Sequence, residues 1–148
     1  MTIAVEVTND SGRIPLARAE AQALAERVLR AEGVRDAMLS VAFVSRREIA
    51  AINRTHLKRA GATDVIAFGF APSGVRGPVI GDVYVAPDVA RANAREFGVP
   101  VREELMRLVV HGTLHVLGHD HPDGGDRVRS PMWRRQESLL ATFARRAR

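Results

Sequence analysis

Four of the five histidines in this 148-residue chain lie between His111 and His121. His111 and His115 are four residues apart, which on an α-helix places both imidazoles on one face. Gly118 is a natural position for that helix to end in a left-handed turn. The turn would bring His121 back towards the first two rings. Three neutral imidazoles that converge in this way suit one Zn²⁺ ion, with a fourth position open to water.

The spacing of the three histidines and Gly118 matches the extended HExxHxxGxxH motif of zincin metalloproteases, with one departure. In those proteases a glutamate follows the first histidine and acts as the general base. Here the residue is Gly112. The sequence therefore predicts the metal-binding frame of a zincin without the base that peptide hydrolysis uses.

Two other polar residues of this stretch, His119 and Asp120, lie beside the three predicted ligands. His119 follows the helix-ending glycine, so we expect it to point away from the metal, either to solvent or as support for a ligand. Asp120 is the candidate for orienting a zinc-bound imidazole, because carboxylates often hydrogen-bond to such rings. It is equally consistent with an ordinary turn residue.

Composition and charge narrow the class of protein. The chain has 22 basic and 17 acidic residues, a net charge of +5, and no cysteine. It contains no apolar run of the ~20 residues that a membrane span needs, and its first residues do not resemble a signal peptide. We therefore expect a single domain over residues 1–148, a cytoplasmic location and no membrane association. The positive charge favours a polyanionic partner such as nucleic acid.

Hydrophobic periodicity and turn residues predict the element order βαβαββααα. The strands are predicted near residues 3–7, 37–44, 65–70 and 81–86, and the helices over 15–31, 45–53, 87–97, 101–117 and 132–146. Residues 54–62, 71–78 and 122–131 are predicted connections. This order indicates an α+β fold, in which a small mixed four-stranded sheet packs with about five helices, one of them a zincin-like metal helix.

The motif from His111 to His121 resembles the HGxLHLxGxDH hallmark of the YbeY family of bacterial ribosomal-RNA maturation factors. Further similarities lie in Asn53, the segments 63–68 and 81–85, and the final helix. Together they cover roughly residues 41–140. The resemblance implies one YbeY-like metal-dependent hydrolase domain, zinc ligands at the three histidines, and single-strand-specific cleavage of ribosomal RNA on the small ribosomal subunit.

One departure from the family concerns the connection after the second helix. Many members carry an arginine four residues after the asparagine, and the matching position here is Leu57. Lys58 and Arg59 follow it and are the candidate RNA-binding residues, with Arg59 as the candidate catalytic cation that would stabilise charge on the scissile phosphate. Both residues are equally consistent with solvated loop positions.

The leading hypothesis from the sequence is a zinc-dependent single-strand endoribonuclease for small-subunit rRNA maturation and ribosome quality control. Whether a zinc-bound hydroxide or the RNA 2′-OH attacks the phosphorus remains open. The first alternative is a non-catalytic, zinc-containing ribosome-assembly or RNA-binding factor, which Leu57 keeps open. A small metalloprotease is the second alternative, and Gly112 and the basic charge argue against it.

Overall fold

The structure is a computed structural model that describes residues 2–70, 77–121 and 128–146. Its strands are β1 (Ile3–Asn9), β2 (Ala37–Phe43), β3 (Val65–Phe70) and β4 (Val79–Val85). Its helices are α1 (Arg18–Ala31), α2 (Arg46–Leu57), α3 (Pro87–Phe97), α4 (Val101–Val116) and α5 (Pro131–Arg146). The predicted connections at 71–78 and 122–131 fall mostly outside the described residues.

The four strands form one mixed sheet in the order β1-β2-β4-β3. β1 pairs with β2 and β2 with β4 in parallel, whereas β3 pairs antiparallel with β4 and forms an edge. The predicted α+β class, with a mixed four-stranded sheet and five helices, is therefore confirmed. Among the described residues no helix has the length and apolar character needed to cross a membrane.

The start of α1 corrects one predicted boundary. The sequence places the helix start at Pro15, but the helix begins at Arg18 with Ala17 as its N-cap. The Glu20 carboxylate accepts the Ala17 backbone N–H at 3.1 Å, which satisfies an amide at the helix entrance. Leu16 lies before the helix and is buried in the core. The side-chain cap, and not the proline, sets the first turn.

The end of α2 corrects a second boundary. The predicted irregular connection from Arg54 is helical up to Leu57, and Lys58 follows as a C-cap in the left-handed region at φ 56°. The Arg59 backbone N–H donates to the Asn53 carbonyl at 3.2 Å, and the Asn53 side chain donates to the Gly61 carbonyl at 3.0 Å. This buried asparagine therefore folds the basic segment back onto the helix end.

The two faces of the sheet carry different layers. The inner face, with Leu39, Val41, Val83 and Val85, packs in the main core with residues of α1, α4 and α5. The outer face joins a smaller cluster that is centred on Ile49 of α2 and includes Ile66, Phe68 and Tyr84. β3 therefore has one face of large side chains in the outer cluster and one face of small residues that meets α4.

Three glycines allow α4 to lie close against the sheet. Gly69 and Gly81 are opposed in the β3–β4 register. A Cβ at Gly69 would lie 2.6 Å from the Val116 carbonyl oxygen, and one at Gly81 would lie 2.4 Å from the Val116 side chain. On the helix, a Cβ at Gly112 would lie 2.5 Å from Val83 Cγ1. Gly112 is therefore a packing residue that faces the sheet, and a longer side chain has no room there.

We predict that Gly112→Ala lowers the free energy of unfolding by about 1–2 kcal/mol. Overpacking against Val83 costs about 1–3 kcal/mol, and the better helix propensity of alanine offsets up to ~1 kcal/mol. Urea denaturation of the metal-free protein measures the change. In a Val83→Ala background, where the colliding methyl groups are gone, the same substitution should cost nothing or stabilise. Equal costs in both backgrounds would show that the contact with Val83 is not the cause.

Candidate metal centre

The C-terminal half of α4 and the turn after it bring three histidines together. His111 and His115 lie on one face of α4. Gly118 takes φ +97°, and the His119 backbone N–H donates to the Leu114 carbonyl at 3.0 Å, so the chain reverses as predicted. One nitrogen from each of His111, His115 and His121 lies within 4.8 Å of the other two. This donor set fits a single divalent metal ion with three imidazole ligands.

The ring orientation of His111 is set by a chain of hydrogen bonds from α5. Arg107 makes a two-pronged contact with Glu137, with distances of 2.9 Å to Oε2 and 3.1 Å to Oε1. Gln136 Nε2 donates to Glu137 Oε2 at 3.0 Å, which fixes its amide so that Oε1 lies 2.6 Å from His111 Nδ1. Because an amide oxygen only accepts, His111 Nδ1 carries the proton and Nε2 keeps its lone pair for a metal.

Burial keeps two of the three rings neutral. Burial lowers the pKa of His111 to about 4, with further lowering from His115 and His121 and opposition from the Gln136 hydrogen bond. Burial likewise lowers the pKa of His115, and the neighbouring His121 adds to this. At neutral pH both imidazoles are therefore in the form that binds a metal ion, and proton competition at His111 is weak.

We predict that the metal-free protein loses stability as the pH falls from about 6.5 to 4. His111 has its ordinary pKa of 6.5 in the unfolded chain and about 4 in the folded one, so the unfolded state binds more protons in that window. The contribution of this residue is absent above pH 6.5 and reaches about 3 kcal/mol of destabilisation below pH 4. Urea denaturation across this range should show a shallower decline for His111→Gln. Parallel pH profiles for both proteins would contradict the prediction.

His119 lies outside the triad, as predicted. Its Nε2 contacts the Glu32 carboxylate at the end of α1, and Arg135 of α5 donates to the same carboxylate at 2.9 Å. Burial raises the pKa of Glu32, but the hydrogen bonds from Arg135 and His119 outweigh it, and the net pKa is lowered. His119 therefore links the turn after α4 to two other helices.

Asp120 lies beside the triad but bonds to the main chain. Its Oδ1 accepts the His121 backbone N–H at 2.9 Å, an interaction typical of a turn residue. Its charge also acts on His115, where it favours the protonated ring. A role in orienting a ligand ring stays a prediction.

The motif segments 63–68 and 81–85 each contain an aspartate, and these two residues lie in different places. Asp64 directly precedes β3, and its charge acts on His111. Asp82 lies in the middle of β4, because that strand begins at Val79 and not near residue 81 as predicted. Its side chain is on the outer face, where burial raises the pKa of Tyr84 and Asp82 adds to that shift. Asp64 therefore belongs to the site and Asp82 to the opposite face.

The basic segment after α2 is exposed. Leu57 is the last residue of the helix and is 42% exposed, and the side chains of Lys58 and Arg59 that follow are also exposed. Their assignment as RNA-binding residues, and that of Arg59 as a catalytic cation, stay predictions.

The sequence did not predict the role of Gln136 or of the ion pair between Arg107 and Glu137 that holds it. Gln136 is fully buried between Met132 and Leu140 on the inner face of α5. A polar residue within an apolar helical stripe was the available signal, because such a side chain needs a partner in the core. The identity of that partner, 25 positions earlier in the chain, depends on how α5 packs against α4.

Together the fold and the site define an α+β domain in which a helix on the inner face of a mixed sheet carries a histidine triad fit for a metal ion. The family described as Endoribonuclease YbeY matches residues 6–144 of this chain. The chain belongs to this family. The family match therefore extends to the N-terminal part of the chain, whereas the motifs noted in the sequence begin only near residue 41.

Individual relatives agree with this assignment. The endoribonuclease YbeY of Bacillus licheniformis is 35% identical, over 97% of this chain and 96% of the relative. That of Aquifex aeolicus is 39% identical over 69% of this chain and 68% of the relative. A solution structure of a Thermotoga maritima protein is similar at a TM-score of 0.62 and 25% identity, with coverage of 96% and 90%.

Proposed function

We propose that this protein is a zinc-dependent endoribonuclease that cleaves single-stranded ribosomal RNA during small-subunit maturation and ribosome quality control in the cytoplasm. The observation that carries the proposal is the convergence of His111, His115 and His121, with nitrogen atoms within 4.8 Å of one another. Support for the substrate comes from the names of the curated relatives and from the net charge of +5.

Several residues of the chain would have distinct roles in such a reaction. A zinc ion on three imidazoles would supply a Lewis acid with an open position for water or a phosphate oxygen. Gln136 holds His111 in the tautomer that presents Nε2. Gly112 faces the sheet and leaves no space for a carboxylate base, which argues against the metalloprotease alternative. Phosphodiester cleavage also needs a cation near the phosphate.

Lys58 and Arg59 are the residues we propose for that cation. Because Leu57 occupies the position of the family arginine, the positive charge of this segment lies one and two residues further on. Asn53 ties the segment to the end of α2 through the Arg59 backbone and the Gly61 carbonyl, so the two cations project from a defined turn.

We predict that replacing both Lys58 and Arg59 with alanine lowers kcat/KM for RNA cleavage by about tenfold. Loss of phosphate contacts should also weaken the salt dependence of RNA binding, by about one unit of slope for each contact. Cleavage assays and binding titrations at several salt concentrations measure both effects. Arg18→Ala/Arg35→Ala removes two exposed cations elsewhere and should change kcat/KM less than twofold. If both double variants lowered kcat/KM equally, Lys58 and Arg59 would contribute only as part of the overall positive charge of the surface.

The direct test of the function is cleavage of single-stranded rRNA fragments by purified protein with and without a chelator. We expect discrete products, loss of cleavage in the chelator, and recovery when Zn²⁺ is added back. Double-stranded RNA of the same sequence should resist. A protein that binds the fragments but never cleaves them would favour the non-catalytic assembly factor, which the replacement of the family arginine by Leu57 supports.

A further inference from the structure

A cavity of about 290 Å³ lies directly beside the histidine triad. His111 forms part of its lining, and the rest comes from the start of β3, from α3, α4 and α5, and from the chain next to these helices. Six of its lining side chains are apolar: Val65, Phe97, Val99, Leu108, Val128 and Trp133. A ligand in this cavity would therefore meet apolar and aromatic surface while lying next to the candidate metal centre.

The two carboxylates of the cavity, Asp64 and Glu104, are hydrogen-bond acceptors. Asn93 Nδ2 donates to Asp64 Oδ2 at 2.9 Å and to Glu104 Oε2 at 3.3 Å. Glu104 is 4% exposed and also accepts from Arg107, and burial raises the pKa of Glu104. Asp64 is half-buried, and each of its oxygens has a second lone pair to offer. Asp64 is therefore the carboxylate that a ligand can reach.

The charge of the cavity excludes a phosphate as its occupant. Among the described residues two carboxylates and one permanent cation line it, and that cation, Arg107, is already engaged by Glu103, Glu104 and Glu137. An occupant that suits these walls is flat, apolar on its faces and rich in N–H donors along one edge. Nucleobases have this form, and single-stranded RNA is commonly read by stacking on aromatic residues with hydrogen bonds to base edges.

We propose that this cavity is a nucleobase pocket that selects guanine, with Asp64 accepting hydrogen bonds from the guanine N1–H and N2 amino groups. Guanine presents these two donors side by side, so one carboxylate can accept both. Adenine and cytosine place a ring acceptor beside their amino group, and uracil flanks its single N–H with two carbonyls. The inference rests on the proposed function, and it adds a sequence preference: cleavage next to guanosine.

Trp133 provides a readout that does not depend on catalysis. It is the sole tryptophan of the chain and it lines the cavity, so a stacked base should quench its fluorescence. The probes are GMP, IMP and UMP, titrated in the presence of a chelator with correction for absorption. We expect saturable quenching by GMP. IMP, which lacks only the N2 amino group, should bind about tenfold more weakly, and UMP more weakly still.

Two variants distinguish a specific contact with the Asp64 carboxylate from a general effect of negative charge. Asp64→Asn should raise the Kd for GMP about tenfold and remove the preference over IMP. Asp88→Asn, which removes a carboxylate from α3 outside the cavity, should leave both values unchanged. Equal Kd values for GMP and IMP, no saturable quenching by GMP, or unchanged GMP affinity in a folded Asp64→Asn would each overturn the proposal. Should Asp64→Asn fail to fold, the wild-type nucleotide series decides alone.

The outcome for the pocket is distinguishable from the outcome for the proposed function. A protein that cleaves RNA but binds GMP no better than UMP refutes the pocket and leaves the nuclease intact. A protein that selects GMP but cleaves no RNA supports the pocket as a recognition site and refutes the cleavage proposal.

Discussion

His115→Ala should reduce RNA cleavage by roughly 10³-fold, with loss of tight zinc binding. The triad supplies three ligands, and removing one leaves two imidazoles that hold the ion too weakly to keep it at the scissile phosphate. A metal ion contributes several kcal/mol to stabilisation of the transition-state charge, and each ~1.4 kcal/mol corresponds to a tenfold change in rate. Single-turnover cleavage of an rRNA fragment, with zinc content measured on the same preparation, tests both consequences.

His119→Gln is the matched control for this substitution. His119 lies four residues from His115 in the same segment, but it pairs with Glu32 and is not part of the triad. Glutamine keeps a donor for that carboxylate, so zinc content and cleavage should stay within about twofold of wild type. Wild-type cleavage by His115→Ala would mean that the activity does not come from this site.

Gln136→Leu should lower zinc affinity by about 10–100-fold, although position 136 is not a ligand. Gln136 fixes the protonated nitrogen of His111 and its ring orientation, and loss of such a partner typically costs that much affinity. Leucine has a similar volume and leaves Glu137 paired with Arg107, so the fold should persist. Competition with a chromophoric chelator measures the affinity.

Gln22→Leu makes the same change on the exposed face of α1 and should leave zinc affinity unchanged. Thermal unfolding of the metal-free proteins separates an effect on the ligand from a general loss of stability. Wild-type affinity in a folded Gln136→Leu would show that the hydrogen bond to His111 does not position the ring.

The triad was predictable because its information is local. The spacing of His111 and His115 on one helix, and Gly118 where the helix must end, together determine where His121 can go. The absence of the protease base at Gly112 was likewise visible in the sequence, whereas its packing against Val83 needed the structure. Strand positions were predicted to within about two residues, because each strand is a short apolar segment bounded by turn residues.

Long-range contacts and helix ends were not predictable in this way. The sequence does not state the order β1-β2-β4-β3, nor that Gln136 meets His111, because both depend on how distant elements pack. The start of α1 was missed because Glu20 caps it from inside the helix. The extension of α2 to Leu57 depends on the bonds that Asn53 makes to the chain beyond it. Each miss involves an interaction that one segment cannot reveal alone.

X-ray absorption spectroscopy at the zinc edge, on protein loaded with one equivalent of Zn²⁺, tests the central claim most directly. The account predicts three imidazole nitrogens at about 2.0–2.1 Å and one oxygen ligand from water. In His115→Ala the imidazole signal should fall to two rings or the zinc should be lost. Stoichiometric zinc with fewer than three imidazoles in the wild type, or no stoichiometric zinc at all, would contradict a metal centre built from His111, His115 and His121.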